Sequence, residues 1–259
     1  MFNIFKKKKK EVITLKVQPV ENFTNIDNFI KYFREDTGID FSNKKEIVKN
    51  KLIIFCRSHN IHNFDECLAK VKNNESIKQE LIDTFAVNET YFFRELKQIQ
   101  EVIKKAKNIK SKIEILCAPS SSGEEPYSIA ILLLEEGFSA DTFHIVGIDI
   151  SDKVITKARE AIYSKRSLHR VDQSLINKYF TLTEDKYILK DIVKRQVSFR
   201  RVNIFDVGFN NLRKFDYIFS RNMMIYFDDE TKKRAKSILQ KLLKDPQEPI
   251  LFGHADMSH

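Results

Sequence analysis

The sequence predicts an α/β protein in two parts: a small all-helical domain, then a larger domain built on a mainly parallel sheet with helices on both faces. Apolar residues in the first quarter recur at helical spacing. From about Ser111 that pattern gives way to short β-branched runs alternating with helical stretches. The centre of the larger domain is marked by Ile113-Glu114-Ile115-Leu116-Cys117, a loop with one glycine and the apolar stretch 128–134, which read as strand, loop and buried helix.

In chain order, residues 1–20 form a basic tail containing the lysine run 6–10, and residues 21–87 the helical domain. Ile26, Phe29, Ile30 and Phe33 line one helix, Ile47, Leu52 and Phe55 a second, Phe64, Cys67, Leu68 and Val71 a third, and Ile77, Leu81, Ile82 and Phe85 a fourth. Thr24, Ser42 or Asn43, and Asn74 are good N-cap types before three of these. Residues 88–110 are a linker, and 111–259 the second domain. After the first strand and helix comes Phe143-His144-Ile145-Val146-Gly147-Ile148-Asp149, a strand ending in an acid. A helix is expected near 172–180. Tyr187-Ile188-Leu189 and Val197-Ser198-Phe199-Arg200 then read as a small antiparallel pair joined by polar residues 190–195, a β-subdomain near 181–202 or a simple excursion of the fold. The apolar run 215–220 is a further strand.

Composition bounds the function. At 259 residues, 42% apolar and 31% charged, the chain lies in the soluble globular range. No apolar run approaches the roughly 20 residues that span a bilayer, and the N-terminal lysines follow a short apolar stretch where a secretory signal would have them precede a longer one. A cytoplasmic protein is expected. Cys56, Cys67 and Cys117 form no CxxC pair and read as buried thiols, and His59 and His62 lack the partners of a metal site, so no metal is expected. The net charge of +9, concentrated at 6–10, at Lys44, Lys45, Lys49 and Lys51, at 104–112 and at 232–236, favours acidic partners where these lysines are not simply solvated helix faces. No nucleic-acid motif accompanies it, so nucleic acid is not an expected partner.

The loop Pro119-Ser120-Ser121-Ser122-Gly123-Glu124-Glu125 carries the chemistry. Phosphate-binding loops need several glycines or a Gly-Lys-Ser/Thr ending so that backbone N–H groups can cradle anionic oxygens. This loop has neither, and its paired acids suit a cationic ligand such as the ammonium and sulfonium groups of S-adenosylmethionine. Asp149 stands 26 residues after Gly123, near the spacing of a ribose-binding acid. Taken alone, Glu124 and Glu125 read equally well as acids stabilising a helix N-terminus.

Four ordered blocks are similar to the signature of CheR-type chemotaxis receptor methyltransferases: Asn88-Glu89-Thr90-Tyr91-Phe92-Phe93-Arg94-Glu95, Gly123-Glu124-Glu125-Pro126-Tyr127-Ser128, Gly147-Ile148-Asp149-Ile150-Ser151, and Ser220-Arg221-Asn222-Met223-Met224-Ile225-Tyr226-Phe227-Asp228. The resemblance runs from about Asn22 to the C-terminus. It implies a helical domain followed by a Rossmann-like S-adenosylmethionine-dependent methyltransferase domain with a small antiparallel β-subdomain insertion. The implied reaction is methylation of glutamate side chains in the cytoplasmic helical bundle of membrane chemoreceptors, giving glutamyl methyl esters and S-adenosylhomocysteine. A receptor tail peptide docking on the β-subdomain, recruitment to chemoreceptor arrays and a monomeric state without membrane insertion are implied with it. So are residue roles: Asn88, Thr90 and Arg94 reaching the cofactor from the linker, Glu125 at its aminoacyl end, Asp149 on the ribose, Asn203 and Ile204 beside the adenine, and Arg221 and Asn222 at the carboxyl end of the sheet. Arg94 and Tyr226 are the choices for holding the acceptor carboxylate, although Tyr226 also reads as a core aromatic. A non-catalytic S-adenosylmethionine-binding signalling module is the other reading; it has no need of Arg94 and Tyr226, which are both present. The chain departs from the family at Pro119 and the triple serine, and at Gly253-His254-Ala255-Asp256, where relatives carry Gly-His-Ser-Glu.

Overall fold

The computed structural model describes residues 21–86, 89–211 and 213–257. Four helices make the N-terminal unit: α1 (Asp27–Thr37), α2 (Lys45–Ser58), α3 (Phe64–Asn73) and α4 (Glu75–Phe85). They close over Phe29, Phe33, Leu52, Cys56, Cys67 and Leu81. Asn74 caps α4 as expected, accepting from Ser76 N and Ile77 N. The other starts differ. Thr24 bonds Asn22 and leaves α1 without a side-chain cap, while residues 42–44 form a single 3-10 turn, fastened by Asp40, that runs into α2. Ile47 lies outside the core at 63% exposure, because α2 buries the face of Val48, Leu52, Phe55 and Cys56.

α5 (Leu96–Ala106) leads into β1 (Ile113–Cys117), α6 (Glu124–Glu135), β2 (Phe143–Asp149) and α7 (Asp152–Glu160). β3 (Ile162–Ser164), α8 (Gln173–Tyr179), β4 (Phe180–Thr183), β5 (Lys186–Leu189) and α9 (Asp191–Lys194) follow, and then β6 (Val197–Arg201), β7 (Tyr217–Ser220), α10 (Asp229–Gln240) and β8 (Leu251–Phe252). The main sheet has the order β6-β2-β1-β7-β8 with every pair parallel. The chain steps outward from β1 to β2 and returns to β7 on the opposite side. A crevice therefore opens at the carboxyl ends of β1 and β7, where doubly wound sheets bind ligands.

The small antiparallel sheet is present, but its strands are β3-β5-β4. This corrects the expected pairing: Val197-Ser198-Phe199-Arg200 does not pair with Tyr187-Ile188-Leu189 but runs parallel to β2 in the main sheet. The short helix α9 occupies the expected connector, and Gln196 O then accepts from Ile145 N at 2.9 Å, seating β6 beside β2. Packing explains the choice. Phe199 falls opposite Gly147, and a Cβ there would come within 2.7 Å of its ring, so the missing side chain makes room for the aromatic. The subdomain thus spans 162–189, ahead of the predicted 181–202.

All three cysteines are buried and free. His59 closes the end of α2 and bonds Glu80. Among the described residues no cluster could hold a metal, and no helix is long and apolar enough to cross a membrane. The basic tail lies outside the described residues.

Candidate active site

A cavity of about 270 Å³ occupies the crevice. Nine of the expected site residues line it: Thr90, Arg94, Glu125, Asp149, Asn203, Ile204, Arg221, Asn222 and Tyr226. Asn88 lies outside the described residues.

The two acids of the loop part company. α6 begins immediately after Gly123, so consecutive residues in its first turn point in different directions. Glu124 is spent within the protein: Oε2 accepts from Ser122 Oγ at 2.8 Å and Oε1 from Ser167 Oγ at 3.3 Å. Glu125 faces the cavity, and its Oε2 lies 3.1 Å from Arg221 Nε. Its Oε1 is buried with no N–H or O–H partner among the described residues, only the weak Cys117 thiol lying against the carboxylate. Burial pushes the Glu125 carboxyl up, against the pull of the Arg221 guanidinium.

Arg221, 2% exposed, holds the centre of the site. Its Nη2 donates to Arg94 O at 2.6 Å, and its Nε also lies 3.7 Å from Glu95 Oε2. One cation thus stands between two carboxylates and fixes the main chain of Arg94. The two carboxylates put acceptor oxygens on both sides of the guanidinium, and Glu125 turns one of them toward the cavity, where a cationic ligand can meet it. Sequence reasoning missed Glu95 although it closes the first signature block; nothing local shows that it faces a residue 126 positions on.

Asp149, at the end of β2, is 6% exposed. Oδ2 accepts from Ser121 N at 2.9 Å and Oδ1 from Ser151 N at 3.0 Å. Burial raises its carboxyl to about 6, with those amides opposing. Each oxygen keeps a further lone pair, enough for the two hydroxyls of a ribose. Asn203 is less free: its Nδ2 donates to Asp36 O at 2.7 Å and its Oδ1 accepts from Phe205 N at 3.0 Å, so its side chain ties the helical unit to the main sheet. Its backbone and the Ile204 side chain are what remain for a flat apolar ligand.

On the opposite wall, Arg94 Nη1 donates to Glu89 O at 2.9 Å and the guanidinium lies 5.8 Å from the centroid of the Tyr91 ring. Tyr226 belongs to a 3-10 turn after β7, and its carbonyl accepts from Asp40 N at 2.8 Å. Burial raises the Tyr226 phenol while the Arg94 charge pulls it down, so the two groups share one electrostatic environment. Thr37, Ile39 and Ala86 of the helical unit complete the lining, a contribution the sequence did not reveal. A second cavity of about 220 Å³ adjoins at Ile39, Ile225, Tyr226 and Phe227 and extends to Lys44, Ile47 and Lys51. Of Lys44, Lys45, Lys49 and Lys51, the group expected to face an acidic partner, Lys44 and Lys51 therefore border the second cavity, whereas Lys45 pairs with Asp27 and Lys49 lines neither cavity.

Comparison with known proteins matches two family models in succession: "CheR methyltransferase, all-alpha domain" over residues 24–86 and "CheR methyltransferase, SAM binding domain" over 88–257. The chain is 41% identical to a chemotaxis protein methyltransferase of Campylobacter jejuni, covering 93% of this chain and 91% of that protein. It is 34% identical to the one from Borreliella burgdorferi, over 89% and 87%. A probable biofilm formation methyltransferase of Pseudomonas putida is 28% identical and matches 90% of this chain but 57% of its own length.

Proposed function

The chain belongs to the CheR methyltransferase family, with S-adenosylmethionine as its cofactor, and from that premise we propose that it methylates glutamate side chains in the cytoplasmic helical bundle of chemoreceptors, forming glutamyl methyl esters. The observation that carries this reading is the meeting of two cavities at Tyr226. One holds buried acids and a buried guanidinium; the other opens past Lys44 and Lys51 to the surface.

Bound S-adenosylmethionine supplies a methyl group activated by a sulfonium. The chain's own residues bind and orient. Glu125 Oε1, which has no N–H or O–H donor among the described residues, accepts from the ammonium, and Arg221 Nη1, buried and likewise unpartnered among them, meets the neighbouring carboxylate. Asp149 accepts from the ribose hydroxyls, with Thr90, Ile204 and Asn222 completing the wall. A glutamate acceptor, with an ordinary pKa of about 4.3, is ionised at neutral pH and needs no general base. Arg94 grips one carboxylate oxygen and Tyr226 donates a hydrogen bond, leaving a lone pair free to take the methyl. Alignment and exclusion of water then provide the acceleration. The cationic stripe of Lys44 and Lys51 recruits an acidic helix, which places the enzyme at chemoreceptor arrays. A receptor tail peptide adding to an edge of the small sheet β3-β5-β4 is the corresponding tether.

The test is incubation with methyl-labelled S-adenosylmethionine and receptor-containing membranes, followed by mild base. Label released as volatile methanol identifies a carboxyl ester. Label stable to base, or none on the receptor, refutes the proposal.

A further inference from the structure

We propose that Asp256, in the tail after β8, is a positioning residue for methyl transfer: its carboxylate sets the backbone that carries Asn222 and Tyr226. The inference rests on the reading of the cavity given above. Asp256 is 9% exposed and accepts from three main-chain donors of two segments. Oδ2 takes Asn222 N at 2.5 Å and Gly253 N at 3.1 Å, and Oδ1 takes Met224 N at 2.9 Å. The amides of residues 222 and 224 belong to the turn after β7, so one side chain fixes the path between the Asn222 wall and the Tyr226 phenol. Asn222 turns the chain with a φ of 60°, a left-handed conformation that asparagine tolerates better than most residues, and the Asp256 carboxylate anchors the amide at that turn. The approach is close: a Cβ on Gly253 would lie 3.1 Å from both Asn222 N and Asn222 Nδ2. Ala255, beside Asp256, lines the cavity itself. The tail that departs from the family pattern is thus a brace for the site, made with an aspartate.

Two variants disturb the brace by unrelated means. Asp256→Asn puts an NH2 group against amide donors, and Gly253→Ala inserts a methyl group against Asn222. Both should lower turnover by about 100-fold, the scale of a 1 Å misplacement in a catalytic constellation, and Asp256→Glu, which keeps the carboxylate, should restore most of it. Calorimetry with S-adenosylhomocysteine separates positioning from partial unfolding. Positioning gives full stoichiometry with weakened affinity; unfolding gives reduced stoichiometry with unchanged affinity and would overturn the inference, as would wild-type turnover in both variants. Tyr226→Phe is measured alongside. If it loses activity while Asp256→Asn does not, this inference fails alone; if Tyr226→Phe is fully active, the assignment of Tyr226 on which it rests has failed.

Discussion

Asp149 draws its hydrogen bonds from Ser121 and Ser151, on the turns that end β1 and β2, two paired central strands. The turn that carries Tyr226 is fixed from farther away, by Asp40 of the helical unit, whose N–H donates to Tyr226 O, and by Asp256 near the other end of the chain, which accepts from Met224 N. The end of the cavity assigned to the ribose of the methyl donor is therefore a local product of two neighbouring parallel strands. The half assigned to the acceptor is assembled from segments remote in sequence and joined by single side chains. A common donor needs a fixed local receptacle, whereas the wall meeting a protein substrate can be retuned by changing its braces.

The strongest attempt to break this comparison is Glu125→Ala. It removes the ammonium partner and strands the buried Arg221 beside Glu95 alone, and truncating one member of a buried charge pair costs about 2–5 kcal/mol. Calorimetry should show cofactor affinity at least about 100-fold weaker. Glu124→Gln is the internal control, since its carboxylate is already occupied by Ser122 and Ser167, and should change affinity by less than about threefold. Equal losses in the two variants would erase the distinction between the twin acids.

Next in size is Asp149→Asn, which should weaken cofactor affinity about 10- to 100-fold, the scale of a hydrogen bond or two to a charged group. The wild-type protein has a pH signature with a definite sign. With the Asp149 carboxyl held near 6 by burial, its proton returns as pH falls through 6 and the double acceptor is lost. Affinity should be level above about pH 7 and decline below 6. Glu125, also raised by burial, contributes in the same direction, so the asparagine variant should keep a shallower slope. A wild-type profile flat from pH 5 to 8 would remove Asp149 from the ribose.

The same division explains what could be read in advance. β1 and β2 have the predicted bounds because strands buried on both faces read as nearly continuous apolar runs, interrupted here before the acid that ends β2 only by Glu114 and His144 near their entry ends, and Glu125 and Asp149 follow directly from those strands. Val197-Ser198-Phe199-Arg200 alternates in a way that suits a hairpin or a sheet edge equally; the decisive contact is with Gly147, on a strand far earlier. Asp256 was visible as part of the tail, but its partner Asn222 stands 34 residues away, and nothing in the local sequence shows an aspartate gathering distant amides.

A smaller effect, confined to the acceptor half, is expected of Tyr226→Phe. The ring continues to fill the wall and only a hydrogen bond to a charged oxygen disappears, about 1.5 kcal/mol or roughly 10-fold. The loss should fall on turnover with cofactor affinity unchanged, because Asp149 and Glu125 are untouched. Weakened cofactor binding in this variant would show that the two halves are not separable.

The smallest effect belongs to the outer edge of the acceptor half. Lys51 is exposed and borders the second cavity without reaching the first, so it acts on the approach of the substrate and not on the reacting groups. Lys51→Glu reverses a charge facing an acidic helix and should raise the KM for receptor membranes about three- to tenfold at low salt, while kcat and cofactor affinity stay at wild-type values. The difference should shrink as ionic strength rises past 0.15 M, where screening acts over about 8 Å. A KM that is unchanged at low salt would move the docking surface away from α2, and a fall in kcat would bring Lys51 inside the boundary between recruiting the acceptor and holding it.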